Sequence, residues 1–511
     1  MKHNSTKQIK LGMLLSYLNL GIGNLIPFFY TPVMLELLGQ SEYGLYKIAS
    51  STTSYLSLMA FGIGSAVSRF IIKARTQDGK EAEERMFGLF NLLFQAVALL
   101  TLIVGGIITW KLDLIYGASL TSAELNRMRI LVGLMVISTA VGFSATSYNA
   151  VVFSHERFLF IHSVNILTTI GTPILNLVIL FMGYRSVGMA VLSLSLNIIV
   201  RLVYIAFVRK ALDIRPRYKG MPTHAIREIF AFSFWVFVGT LAGQLYDATD
   251  TVIIGANPAY AATGAAVYSI GTMFPHIISN LGQVIPGFWG PRVNTMIFSG
   301  ESNEKLSDVV ISVGRVQSFI VALVVSGFIA FGQPFILWYA GEEYRISYWI
   351  AIIIIIPNCI PLIQSVALAI LRAKNMHRFR SILYMGIACV NFIGTLLLIK
   401  PLGLIGASIP TGLALLIGNG LIINIYYWKK VGLDIPKFWK NVLPIFGMAA
   451  CLSCITLLLG IIVDFTNPLM LCLGILFYTC IYCILIWFFA MTSEEKRNLV
   501  DMFFSRNSNK E

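Results

Sequence analysis

Long apolar runs separated by short polar breaks recur along the whole chain. Stretches such as LLFQAVALLTLIVGGIITW (92–110) and WIAIIIIIPNCIPLI (349–363) are apolar on every helical face, unlike the one-sided stripe of a soluble helix. A bilayer-crossing helix needs about 20 mostly apolar residues, whereas a membrane β-barrel is built from roughly ten-residue segments of alternating polarity. The pattern predicts an all-α polytopic membrane protein. Apolar length and loop punctuation place fourteen spans at 11–37, 43–71, 86–110, 128–152, 159–183, 187–208, 229–256, 262–290, 309–339, 347–371, 382–399, 404–428, 441–463 and 469–491. The first follows the short basic MKHNSTKQIK without a small-residue cleavage site, so it reads as an uncleaved span.

Composition agrees. With 57% hydrophobic and 12% charged residues over 511 positions, the chain has too little polar surface to cover a soluble globule. The net charge of +14 is informative through its location and gives no reason to expect nucleic acid. Twenty-nine of the 38 basic residues fall at the two termini and in one alternating set of loops. Only Lys111, Arg127, Arg129, Arg185, Arg345 and Lys400 lie in the other set, with Lys47, Arg201 and Arg315 inside spans. The positive-inside rule then puts both termini in the cytoplasm. The loops on the far side are short and leave no room for a domain there.

The chain also repeats itself. Leu212-Asp213-Ile214 returns as Leu433-Asp434-Ile435 at an offset of 221, and HERF at 155–158 returns as MHRF at 376–379 at the same offset. VGMA at 187–190 resembles IGAS at 405–408, and Tyr46–Ser50 resembles Tyr268–Thr272. Two six-span lobes follow, 1–222 and 223–440, with two further helices and a tail in 441–511. Six is even, so the lobes are related by a pseudo-twofold along the membrane normal, the arrangement of parallel-repeat transporters with a site between the repeats.

Side chains that could carry chemistry are few. There is no G-x-x-x-x-G-K-[ST] phosphate loop. Cys451/Cys454 and Cys480/Cys483 have C-x-x-C spacing, but no His, Asp or Glu shares their spans, so they read as small apolar packing residues and no metal or cofactor is expected. In span two Lys47, Ser50, Ser51, Ser54 and Ser57 share a helical face. The repeat gives span eight Ser269, Thr272, His276, Ser279 and Gln283 on one face. A polar stripe must face another helix or a water-filled cavity, and both readings stand: packing glue, or a cavity wall. Span seven carries Thr240, Gln244, Asp247 and Thr251 on one face with Asp250 beside them, and a Gly239-x-x-x-Gly243 close-packing motif. Its carboxylates read as ion-coupling candidates or as a solvated helix end. Arg201 is a further cavity candidate, and Arg315, near a span end, reads as a snorkelling side chain. Span one contributes Asn24 and a pair of bend-prone prolines, Pro27 and Pro32.

YTPVMLELLGQSEYGLY (30–46), with Pro32, Leu38-Gly39 and Tyr43-Gly44-x-Tyr46, resembles the first-span signature of polysaccharide-type flippases of the multidrug/oligosaccharidyl-lipid/polysaccharide exporter superfamily. FSHERF (153–158), VNFIGTLLLIKPLGLIGASI (390–409) and the six-plus-six repeat are similar to the same group. The resemblance implies a two-lobed bundle, not an enzyme, in a bacterial cytoplasmic membrane. It would move undecaprenyl-pyrophosphate-linked oligosaccharide repeat units to the outer leaflet for O-antigen, capsule or exopolysaccharide assembly. Fourteen spans favour that class over twelve-span, cation-coupled multidrug efflux, the alternative. The resemblance implies Lys47 as the pyrophosphate contact, with membrane lipid, H+ or Na+, a polysaccharide polymerase and chain-length proteins as partners.

Overall fold

The computed structural model describes residues 21–497 except 24, 283–291, 294, 298 and 375. No strand occurs among the described residues. Among the described residues ten helices are long and apolar enough to cross a membrane, or eleven if one bent pair is a single span. The count is compatible with fourteen spans because several are fused or broken. One apolar helix, Ala66–Trp110, has 45 residues and another, Phe379–Val431, has 53; straight, they would be roughly 70–80 Å long, more than twice the ~30 Å hydrocarbon core.

Each contains a glycine where the chain reverses. Gly79 has φ 80° and ψ −169°, Gly403 φ 64° and ψ −146°, regions that only glycine enters readily. Around Gly79 the halves fold back so that Phe70 and Phe90 have ring centroids 6.3 Å apart. Around Gly403 the Thr395 hydroxyl donates to the Ala407 carbonyl at 3.4 Å. The expected loop between spans two and three is thus one glycine turn, and so is that between spans eleven and twelve.

The chain forms two compact units, one of residues up to 269 together with 384–407, the other of 270–383 together with 408 onward. In the first, α1 (Gly21–Leu38) and α2 (Gln40–Ser54) are followed by a short 3-10 turn (Tyr55–Ala60), then by α3 (Gly64–Trp110) and α4 (Leu112–Tyr116). Next come α5 (Ser122–Ser154), α6 (Phe158–Phe181), α7 (Arg185–Ala211), α8 (Ala225–Asp247), α9 (Thr249–Ala256) and α10 (Ala261–Gly282), the last running past residue 269 into the second unit. Span seven is broken at Ala248, between α8 and α9. Thr121 starts α5 with a reciprocal capping box to Glu124, satisfying two orphan amides. The core joins α3 to α5 and α7 through Phe87, Phe90, Phe94, Val151 and Val208.

In the second unit α11 (Asn303–Ala340) is flanked by α12 (Ile435–Leu459) and α13 (Pro468–Leu485). Ser326 anchors both: its carbonyl accepts from Ser453 at 2.9 Å and its hydroxyl from Tyr478 at 2.7 Å. Arg315 of α11 does not snorkel. Its guanidinium donates to both oxygens of Glu495, at 2.8 and 3.0 Å, and to the carbonyls of Asn441 and Ala490. A fork with five donors can hold such a junction where a lysine could not.

Two packing expectations change. A Cβ at Gly239 or Gly243 would meet nothing within 4 Å, so that pair is not a close-packing seam. Cys451, Cys454, Cys480 and Cys483 are exposed, so they do not fill the core. No group of three or more His, Cys, Asp or Glu placed to hold a metal occurs among the described residues.

Candidate functional site

Helix α2 buries one face, with Glu42, Tyr43, Leu45, Ile48, Ala49, Thr52 and Thr53 inside. On the other face Lys47 is half-buried and Ser50 is exposed. The Lys47 ammonium stands 5.2 Å from the centroid of the Tyr43 ring, and among the described residues no carboxylate pairs with it. An ammonium without a counter-charge on a transmembrane helix needs water or an anion before it. This is the chemistry that the cavity reading of the stripe requires.

Farther along, the same stripe behaves as glue. Ser54 donates to Gln244 Oε1 at 3.0 Å, Gln244 Nε2 donates to the Ser57 hydroxyl at 3.1 Å, and the Tyr55 and Thr249 hydroxyls meet at 2.5 Å. One glutamine bridging two serines ties α2 and its 3-10 turn to α8. For this part of the stripe the packing reading applies.

The two aspartates differ in setting. Asp247 is exposed at the end of α8. Asp250, 2% exposed in the first turn of α9, accepts a hydrogen bond from Tyr268 at 2.6 Å and one from Thr395 at 2.8 Å. A carboxylate in the first turn is also favoured by the helix dipole. Thr395 comes from the 384–407 segment, which belongs to the first unit; no sequence spacing announced it.

Arg201 on α7 is half-buried and its Nε has no hydrogen-bond partner among the described residues, and the same holds for Nδ1 of His162 on α6. Buried polar atoms of this kind normally bond water or ligand. His162 was missed in the sequence because a lone histidine in an apolar run has no pattern. In the second unit Thr272 is half-buried and His276 exposed, on the helix Ala261–Gly282. One turn on, Ser279 accepts from Asn358 at 2.6 Å. Asn24 and Gln283 lie outside the described residues.

The family model described as "Polysaccharide biosynthesis protein" matches residues 12–289. Comparison with curated proteins gives no match. Among solved structures, one described as "Lipid II flippase MurJ, inward closed conformation" matches with TM-score 0.70 at 16% identity, covering 96% of this chain and 99% of that one. A multidrug resistance MATE family transporter of the MOP superfamily, in an inward-facing conformation, matches with TM-score 0.59 at 13% identity, over 85% and 99%. The Vibrio cholerae MATE transporter VcmN in its bent form matches with TM-score 0.53 at 14% identity, over 87% and 99%. At these identities the likeness is one of fold.

Proposed function

The chain belongs to the polysaccharide biosynthesis protein family, and on that premise we propose that it flips undecaprenyl-pyrophosphate-linked oligosaccharide repeat units. The direction is from the cytoplasmic to the outer leaflet, with both termini cytoplasmic and two six-helix lobes, 1–222 and 223–440, giving alternating access. The observation that carries the proposal is Lys47, a half-buried ammonium with no carboxylate partner among the described residues, next to the exposed Ser50. In a low-dielectric cavity that group attracts a pyrophosphate strongly, while Ser50 offers a hydroxyl to sugar. Arg201, with its unsatisfied Nε, is a second cation for the same head group. The lipid tail stays in the bilayer throughout.

The test is accumulation of lipid-linked repeat units on the cytoplasmic leaflet in a deletion strain, complemented with variants at equal membrane levels. Loss of a charge-assisted contact is worth about 1.5–3 kcal/mol, so Lys47→Ala is expected to slow flipping about tenfold or more, with Lys47→Arg partly active. Normal surface polysaccharide in the deletion strain, without a paralogue, would sink the proposal. The second reading, cation-coupled multidrug efflux, draws on the fold likeness to the MATE transporters; it requires drug hypersensitivity in that strain with the glycan intact.

A further inference from the structure

A cleft of about 670 Å³ lies between α3 and α5 and uses none of the residues proposed to carry transport. Its long part is apolar, walled by Leu102 and Gly106 of α3 and by Gly133 and Val136 of α5. The two glycines hollow it out. A Cβ at Gly106 would meet nothing within 4 Å, and one at Gly133 only the Thr109 methyl at 3.9 Å. Toward the helix ends the lining becomes charged. The Lys111 ammonium lies 4.2 Å from the Trp110 ring centroid, and Arg129 stands 3.5 Å from Asp113. Two cations against one carboxylate leave this mouth positive.

An apolar slot on transmembrane helices has to be filled by something apolar, since unfilled walls lose their dispersion contacts. A slot with a cationic mouth and a 71% exposed tryptophan beside it has the layout of an interfacial lipid site. On the proposed orientation this is the outer leaflet. We propose that the cleft holds one anionic phospholipid, its phosphodiester between Lys111 and Arg129 and an acyl chain along Gly106 and Gly133. Asp113 orients the Arg129 fork while leaving the net charge positive, which disfavours a lipid bearing its own ammonium.

The experiment uses the full-length protein, delipidated in detergent, with lipid binding followed by native mass spectrometry and thermal shift. Phosphatidylglycerol is compared with phosphatidylcholine of the same acyl chains, so the reading depends on neither orientation nor transport. One equivalent of phosphatidylglycerol should bind about tenfold more tightly than phosphatidylcholine. The pair Lys111→Ala/Arg129→Ala should abolish that preference, and Gly106→Leu/Gly133→Leu should remove the bound lipid. Should the double leucine variant fail to fold, Gly106→Leu alone, whose side chain enters open space, makes the same comparison. Equal affinity for the two lipids, or unchanged phosphatidylglycerol binding in the variants, overturns the proposal. So does displacement of phosphatidylglycerol by equimolar undecaprenyl phosphate, which would make the cleft a carrier-lipid site.

Discussion

Glu42 accepts two hydrogen bonds from Ser186, one from the backbone amide at 3.1 Å and one from the hydroxyl at 2.7 Å. Its second oxygen is 3.1 Å from Arg185 and 3.5 Å from Arg127. One buried carboxylate thus pins the starts of α2, α5 and α7. Truncation leaves an amide, a hydroxyl and two guanidinium groups without their acceptor. Because both arginines are about half exposed, their share is screened, and the hydrogen bonds dominate. Glu42→Ala should cost about 2 kcal/mol and Glu42→Gln less, read as the loss in thermal midpoint of the purified protein. An unchanged midpoint for Glu42→Ala would show that the cluster is ornamental.

Gly79 offers a cleaner case. A Cβ there would meet no atom within 4 Å, so any cost of Gly79→Ala comes from the backbone, at φ 80° and ψ −169°. Such a conformation costs a non-glycine residue about 1–3 kcal/mol. Gly106→Ala is the control, since it too meets nothing within 4 Å but sits in regular helix, where alanine gains up to about 1 kcal/mol. Opposite shifts in thermal midpoint are expected. Equal shifts would mean that the reversal does not depend on glycine.

The membrane class and the all-helical, many-span character were legible because hydropathy is a sum over some twenty residues and tolerates local error. The breaks between spans two and three and between spans eleven and twelve were also legible, but not that each is a single glycine turn within a long helix, because Gly79 and Gly403 act through backbone angles. The break of span seven at Ala248 had no signal, since apolar length does not distinguish a broken span from a continuous one. The Lys47 face was legible as a stripe, since helical spacing alone defines it. That the stripe would divide between an open Lys47–Ser50 part and a part bridged by Gln244 depends on which helix lies opposite. Glu42 stands five residues before Lys47 in the sequence but does not pair with it. The carboxylate instead turns to Ser186, 144 positions away.

The Arg315–Glu495 junction predicts a pH dependence. Burial alone would raise the Glu495 pKa, but hydrogen bonds from Arg315 and the Thr492 amide, with the Arg315 charge, bring it below the ordinary value of 4.5. A carboxylate depressed in the folded state contributes stability that is present above its unfolded pKa and lost as pH falls through its folded one. Segment 492–497 should therefore stay protected at neutral pH and through pH 5, then loosen below about pH 4.5. Hydrogen exchange in that segment measures it. Glu495→Gln should expose the segment at neutral pH and flatten the profile; a parallel profile in wild type and variant would place the titration elsewhere.

Asp250 is the carboxylate on which ion coupling can be tried. It accepts from Tyr268 and Thr395, and a carboxylate inside a span is costly enough to suggest a use. Asp250→Asn keeps the volume and one acceptor oxygen but turns an amide donor toward a site built from donors. A stability loss of about 1 kcal/mol is expected from that mismatch alone. Thr395→Val removes one donor without touching the charge, so it separates stability from coupling. If Asp250 couples transport to H+ or Na+, Asp250→Asn should abolish the gradient dependence of flipping in reconstituted vesicles, while Thr395→Val should weaken stability and keep the gradient response. Gradient-stimulated flipping that persists in Asp250→Asn at wild-type level would remove this residue from the coupling path and leave Asp247 as the candidate to examine.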